Sequence, residues 1–263
     1  MLPWRKGRTC SRSRSGLKRS KSQRTYLFIN YIAIVHHMRI GAPFAGPVSF
    51  PLLVLSEYED IDVHNTCSEE GNFDVVLDSI TNITRYGMGL IAGVFIDMYS
   101  LIGNLESKTI YTVRKGTLAD YNARLIARSI SGQVINADPD TVMKKASEGS
   151  MGLVGNEIQI GKSYSEYAKQ IGIYAASCMI AARDSSFRSI LNEYQKGIDF
   201  IAKNPERSAE IISRKSNYYD ESTMRKIIGI YGHRLTTSRP DLETSIRIYS
   251  AVEPSVYRLK ILG

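Results

Sequence analysis

Residues 109–157, TIYTVRKGTLADYNARLIARSISGQVINADPDTVMKKASEGSMGLVGNE, set the fold class. They open on β-prone residues at 109–113. Gly116-Thr117 then leads into a run with Leu118, Tyr121, Leu125 and Ile126 at helical spacing, reaching about residue 130. Residues 133–136 read as a short strand. Asp138-Pro139 supply an N-cap and a proline at the first helical position, predicting a helix to 148 before Gly149. Residues 151–154 turn apolar again and end at Asn156-Glu157. Strand, helix, strand, helix, strand is an α/β unit, compact enough to form a domain.

The same rhythm continues toward the N-terminus. Residues 38–42 read as a strand, and the Gly46-Pro47 break precedes a helix over 49–58 with Phe50, Leu52, Leu53 and Leu55 apolar. Strands follow at 61–65 and 74–77, the second ending at Asp78-Ser79. Residues 88–96 are apolar and interspersed with glycine, which predicts a buried parallel strand. Toward the C-terminus, 174–182 read as a strand and only helices follow. The pattern predicts helices over 185–203, from Pro205 to 213, from Asp220 to Gly232, and from Pro240 toward 252.

The charge is unevenly placed. The 263 residues carry 34 Lys and Arg against 26 Asp and Glu, a formal net charge of +8. Nine of the basic residues and no carboxylate lie in 1–37, which leaves 25 basic against 26 acidic residues and a net charge of −1 for 38–263. The body is therefore almost neutral, and no nucleic-acid partner is expected for it. Three cysteines, Cys10, Cys67 and Cys178, form no CxxC pair and exclude a disulfide-dependent mini-fold. At 43% hydrophobic and 23% charged, the chain has the composition of a globular protein with a core.

Residues 1–25 are basic and of low complexity, and 26–35 are apolar, followed by His36-His37-Met38. The combination imitates a secretory signal but lacks a small-residue cleavage site. The apolar run falls short of the roughly 20 residues that span a bilayer. Three readings stand: a start at Met38 with 1–37 foreign to the native chain, an export or anchoring segment, and a nucleic-acid arm. The first implies a cytoplasmic protein, the second an exported or membrane-associated one.

Four motifs carry a family likeness. They are GAPFAGPVSFP at 41–51, FDVVLDS at 73–79, RKGTLAD at 114–120 and NPERSAE at 204–210. In their order and spacing the chain resembles the type-2 periplasmic-binding-like, or solute-binding, proteins over 38–263. It is most similar to an uncharacterised archaeal branch related to solute-binding lipoproteins. The resemblance implies two α/β lobes joined by two hinge strands, with a ligand cleft between them. The first lobe would comprise 38–107 and a helical return over 183–263, the second 108–182. It also implies a small-molecule ligand and, for an exported chain, an ABC-type transporter as partner.

In such a fold, helix N-termini at the carboxyl ends of strands offer free N–H groups and positive dipole ends. Three candidate anion seats follow. Ser49 and Phe50 lie at the first, Asp78, Ser79 and Thr81 at the second, and Gly116 and Thr117 at the third. Asn156 and Glu157 stand where they can reach the cleft. Each has an ordinary alternative: Ser49, Thr117 and Asp78 are also N-cap residue types, and Asn156-Glu157 and the Arg114-Lys115 pair suit a solvated surface. Tyr86, Tyr99, Tyr111 and Tyr121 are candidate cleft or core residues.

Signals for catalysis are sparse. No histidine stands beside a Ser or Cys nucleophile, no metal-type spacing occurs, and Gly87-Met88-Gly89 precedes a strand rather than a helix. No cofactor is expected. The sequence therefore points to a protein that closes on a small anionic or polar organic ligand. The alternatives are a cytoplasmic enzyme of menaquinone or thiamine-precursor synthesis on the same fold, in which His64 or Asp78 would titrate, and a nucleic-acid or membrane-surface binder working through its basic tail.

Overall fold

Strand pairing sorts the chain into two sheets in a computed structural model that describes residues 38–263. The readings made on 1–37, including the basic tail, the apolar run, Cys10, His36 and His37, lie outside the described residues. The first sheet takes β1 (Ile40–Ala42), β2 (Val63–Asn65), β3 (Val75–Ser79) and β4 (Gly89–Phe95). The chain then builds the second from β5 (Tyr99–Gly103), β6 (Thr109–Thr112), β7 (Gln133–Asn136), β8 (Met151–Gly155) and β9 (Lys162–Ser163). It returns to the first with β10 (Cys178–Ala182) and β11 (Arg234–Thr236). The strand orders are β11-β4-β10-β3-β1-β2 and β7-β6-β8-β5-β9.

The helices are α1 (Phe50–Leu55), α2 (Ile80–Ile83), α3 (Leu118–Ile130), α4 (Pro139–Ser147), α5 (Tyr164–Gln170), α6 (Ile190–Lys203), α7 (Pro205–Ser216), α8 (Glu221–Ile227) and α9 (Arg239–Ser250). α1, α6, α7 and α8 supply one core with Phe50, Leu53, Tyr194, Ile212 and Met224. α2 and α9 supply the other with Ile80, Ile83, Leu242 and Tyr249. The second lobe has its own core around Ile110, Ile126, Leu153 and Ala168. The architecture is α/β, as the pattern of elements implied, and two-lobed, as the family resemblance implied.

Several local expectations are corrected. β4 is not parallel: it pairs antiparallel with both β10 and β11. Its apolar run reflects cover on both faces, since Ile91 and Val94 enter one core and Leu90 and Phe95 the other. Such cover demands apolar residues whichever way the neighbours run. The helix expected over 49–58 is shorter, a 3-10 turn at Pro47–Ser49 followed by α1. The helix from Asp220 ends at Ile227, which frees Tyr231 to enter the core.

The crossing points also differ from the sequence boundaries. β5 lies within 38–107 but belongs to the second sheet, pairing antiparallel with β8. β10 lies within 108–182 but belongs to the first, between β3 and β4. A strand's side-chain pattern records that its faces are covered, and carries no mark of which sheet covers them. The chain therefore crosses between sheets at 96–98 and again at 171–177.

Candidate inter-lobe cleft

The loop after β1 is fixed by its own Ser49 and by three side chains from distant parts of the chain. Its carbonyls at Ala45, Gly46, Pro47 and Val48 accept hydrogen bonds from Tyr219 Oη (2.5 Å), Ser49 Oγ (2.9 Å), His233 Nε2 (2.8 Å) and Tyr194 Oη (3.0 Å). Four rings lock together beneath it: Phe50 meets Tyr219 edge-on at 5.9 Å and Tyr231 at 5.8 Å, and Tyr231 meets His233 at 6.3 Å. Ser49 and Phe50 are fully buried, so the first candidate seat has its hydroxyl engaged within the loop. Burial pushes His233 down to about 4, leaving the neutral ring to donate from Nε2.

At the end of β3 the polar groups also satisfy one another. Asp78 accepts from the Ser79 N–H at 2.6 Å and from Asn82 Nδ2 at 3.0 Å. Ser79 caps α2, accepting from the Asn82 N–H at 3.3 Å, and its Oγ lies 3.2 Å from Thr81 Oγ1. All three residues are buried. Desolvation raises the Asp78 carboxyl to about 6 against the opposing effect of the Asn82 hydrogen bond.

The third seat is filled by the chain's own carboxylate. Thr117 accepts from the Asp120 N–H at 3.3 Å and donates to the Arg114 carbonyl at 2.7 Å. Gly116 takes φ +78°, which leaves its N–H donating to Asp120 Oδ2 at 2.8 Å. Asp120 is fully buried and also receives Arg124 Nε at 3.1 Å and Asn136 Nδ2 at 2.9 Å. The positive end of α3 therefore faces Asp120. Arg114 and Lys115 are exposed beside it.

The end of β8 is different. Asn156 is buried and ties the strand to the first crossing: its N–H donates to the Met98 carbonyl at 3.1 Å, its Nδ2 to the Asp97 carbonyl at 2.9 Å, and its Oδ1 accepts from Ser100 Oγ at 2.8 Å. The Asp97 N–H in turn donates to the Tyr231 carbonyl at 2.8 Å. Glu157 follows directly. It is open to solvent, yet protein walls it closely enough for desolvation to raise its carboxyl pKa. Burial raises the phenols of Tyr99, Tyr219 and Tyr231, and the charge of Glu157 adds to each rise. The Glu157 carboxylate folds back over Gly155, which pairs with Tyr99 across the β5–β8 ladder.

The residues that reading the sequence alone passed over are Tyr219, Tyr231 and His233. Tyr219 and His233 bind a loop 174 and 186 residues away, a separation that leaves no local signal. Among the sequence candidates, Tyr99 is half-buried and meets Tyr164 edge-on at 6.4 Å, and Tyr121 donates to Glu253 Oε2 at 2.9 Å between the lobes. Tyr86 instead lines a 390 Å³ surface pocket with Phe73, Met88 and Arg183, at the far end of the first sheet. His64 is paired with Asp62 at 2.9 Å and Glu69 at 2.8 Å, and its pKa is raised by them. No group of His, Cys, Asp and Glu that could hold a metal occurs among the described residues.

Comparison with known proteins places this architecture. A family model described as a protein of unknown function, DUF3834, matches residues 38–234. The chain belongs to the DUF3834 family. The DUF3834 chain is 53% identical to a protein of Thermoplasma volcanium provisionally described as a nitrate transport protein. The match covers 87% of this chain and 98% of that one, with a TM-score of 0.84. An ABC transporter protein of Parabacteroides distasonis, 9% identical, matches with a TM-score of 0.59 over 86% of this chain and 97% of its own. An alkanesulfonate-binding protein of Xanthomonas axonopodis pv. citri bound to MOPS, also 9% identical, matches at 0.50 over 83% and 93%. At such identity these two share the fold alone. Nothing among the curated proteins matches. Among the described residues, no helix is long and apolar enough to cross a membrane.

Proposed function

We propose that the chain is a solute-binding protein that closes its two lobes on a small polar organic molecule. The observation that carries this reading is the two-sheet architecture, in which the chain crosses twice between the sheets, taken together with the likeness to a protein described for nitrate transport. Ligand sites of this kind are concave, with aromatic walls and few polar groups. The sequence expectation allowed an anionic or a polar solute, and the geometry favours the polar one. The hydroxyls of Ser49, Ser79 and Thr117 act as local hydrogen-bond partners and caps, and the α3 N-terminus already faces Asp120.

Delivery to an ABC-type transporter, with export of the chain, is the role this reading carries with it. The relationship to a protein described for nitrate transport supports transport as the setting. Thermal denaturation of the full chain against a metabolite library tests the reading. A binder gains stability with rising solute concentration and turns nothing over. A library that produces no concentration-dependent stabilisation removes it.

A further inference from the structure

The two crossings between the sheets, 96–98 and 171–177, meet at a small cavity. Ile96 of the first crossing, Ala175 and Ser177 of the second, Tyr99 of β5, Asn122 of α3 and Tyr164 of α5 line it. The rings of Phe95 and Tyr174, stacked at 4.8 Å, add to the wall. The cavity measures about 10 Å³, room for one water molecule. A small organic solute needs a site of roughly 300 Å³ or more, so the guest that fits here is far smaller.

Asn122 is the group that calls for such a guest. It is fully buried, and its Oδ1 accepts from Tyr249 Oη at 2.7 Å. Its Nδ2 has no hydrogen-bond partner among the described residues. Reversing the amide would give Tyr249 to Nδ2 and strand Oδ1 instead, so one polar atom is left over in either orientation. Buried amides of native proteins bond to protein or to ordered water. None of the side chains lining the cavity is charged, and a donor-only cation such as ammonium could not accept from Nδ2. Water accepts from Nδ2 and keeps two protons for oxygens. The hydroxyl-bearing side chains of Tyr164 and Ser177 are buried and line the same space.

We propose that this cavity is the site of one internal water, held by Asn122 Nδ2 and shared with the hydroxyls of Tyr164 and Ser177. The water ties α3 and α5 of the second lobe to the second crossing through Ser177. The site takes water whether or not the cleft takes a solute. The isotope-labelled full chain is studied by water-selective NMR and by high-resolution crystallography. The Asn122 side-chain amide is expected to show a nuclear Overhauser cross-peak to a long-lived water, with density for one water in hydrogen-bond reach of Nδ2. Lack of either signal overturns the assignment. Asn122→Leu, similar in volume and without polar atoms, is expected to lose the water, and a water retained there overturns the role of the amide. Should that variant fail to fold, Ser177→Ala tests the opposite side, where the residence time of the water is expected to fall several-fold. An unchanged residence time removes Ser177 from the site.

Discussion

Tyr249 Oη donates to Asn122 Oδ1 at 2.7 Å, joining α9 of the first lobe to α3 of the second inside a buried seam. Leu125, one turn along α3, packs into the first lobe's core around Ile83 and Tyr249. Tyr121 reaches Glu253 on the same side. This edge of the interface is fastened by packing and hydrogen bonds. Tyr249→Phe removes the hydroxyl and leaves the Asn122 oxygen buried without its donor. A loss of about 1–2 kcal/mol in urea unfolding is expected, and an unchanged midpoint would show the seam to be held by packing alone.

Asp78 sets one pH dependence. Its folded carboxyl is raised to about 6 from 3.8, so folding favours the protonated form. The stability it contributes is full below about 3.8 and is lost as pH rises through about 6. Asp78→Asn keeps an acceptor for Asn82 and removes the ionisation. The variant is expected to gain up to about 3 kcal/mol at pH 7 relative to the parent and little at pH 4. Urea midpoints measured across that range check it, and an equal effect at both pH values refutes it.

His233 acts in the opposite sense over an overlapping window. Its pKa falls from 6.5 to about 4, so protonation opposes the fold. Its contribution is full above about 6.5 and is lost as pH drops toward 4. The two groups partly cancel, and the parent should show a flatter profile than either Asp78→Asn or His233→Gln. Ring-proton NMR offers a direct check, with His233 expected to stay neutral at pH 6. A midpoint near 6.5 would contradict the burial.

Gly197 separates helix propensity from packing. It sits inside α6, where alanine is favoured by about 1 kcal/mol in isolation. A Cβ there would lie 2.2 Å from the Pro51 carbonyl oxygen of α1. The contact is backbone, so it cannot yield by a rotamer change. Gly197→Ala is therefore expected to destabilise by about 1–3 kcal/mol despite its better propensity. A stabilised variant would mean that α1 and α6 separate freely.

Much of the candidate site's neighbourhood was readable from short-range pattern. Asp138, Asp220 and Thr117 announce their caps because a cap is made by residues three apart. The loop at 43–50 and the end of β8 were legible as places where strands stop. That Asn156 would turn inward and Glu157 outward was not legible, since both are polar residues at one strand end. Only the Asp97 and Met98 carbonyls, held in place by Tyr231, separate their fates.

The two-lobed plan came from the family resemblance, while local chemistry in the sequence determined the alternation of strands and helices, the α/β class and the near-neutral body. These depend on residue type, spacing and capping, which act over a few positions. Tertiary structure alone decided the antiparallel setting of β4, the sheet to which β5 and β10 belong, and the binding of the 45–48 carbonyls by Tyr194, Tyr219 and His233. Those follow from contacts between residues far apart in the chain. An apolar strand is satisfied by any apolar cover, and a tyrosine by any buried partner for its ring, until the rest of the fold supplies one.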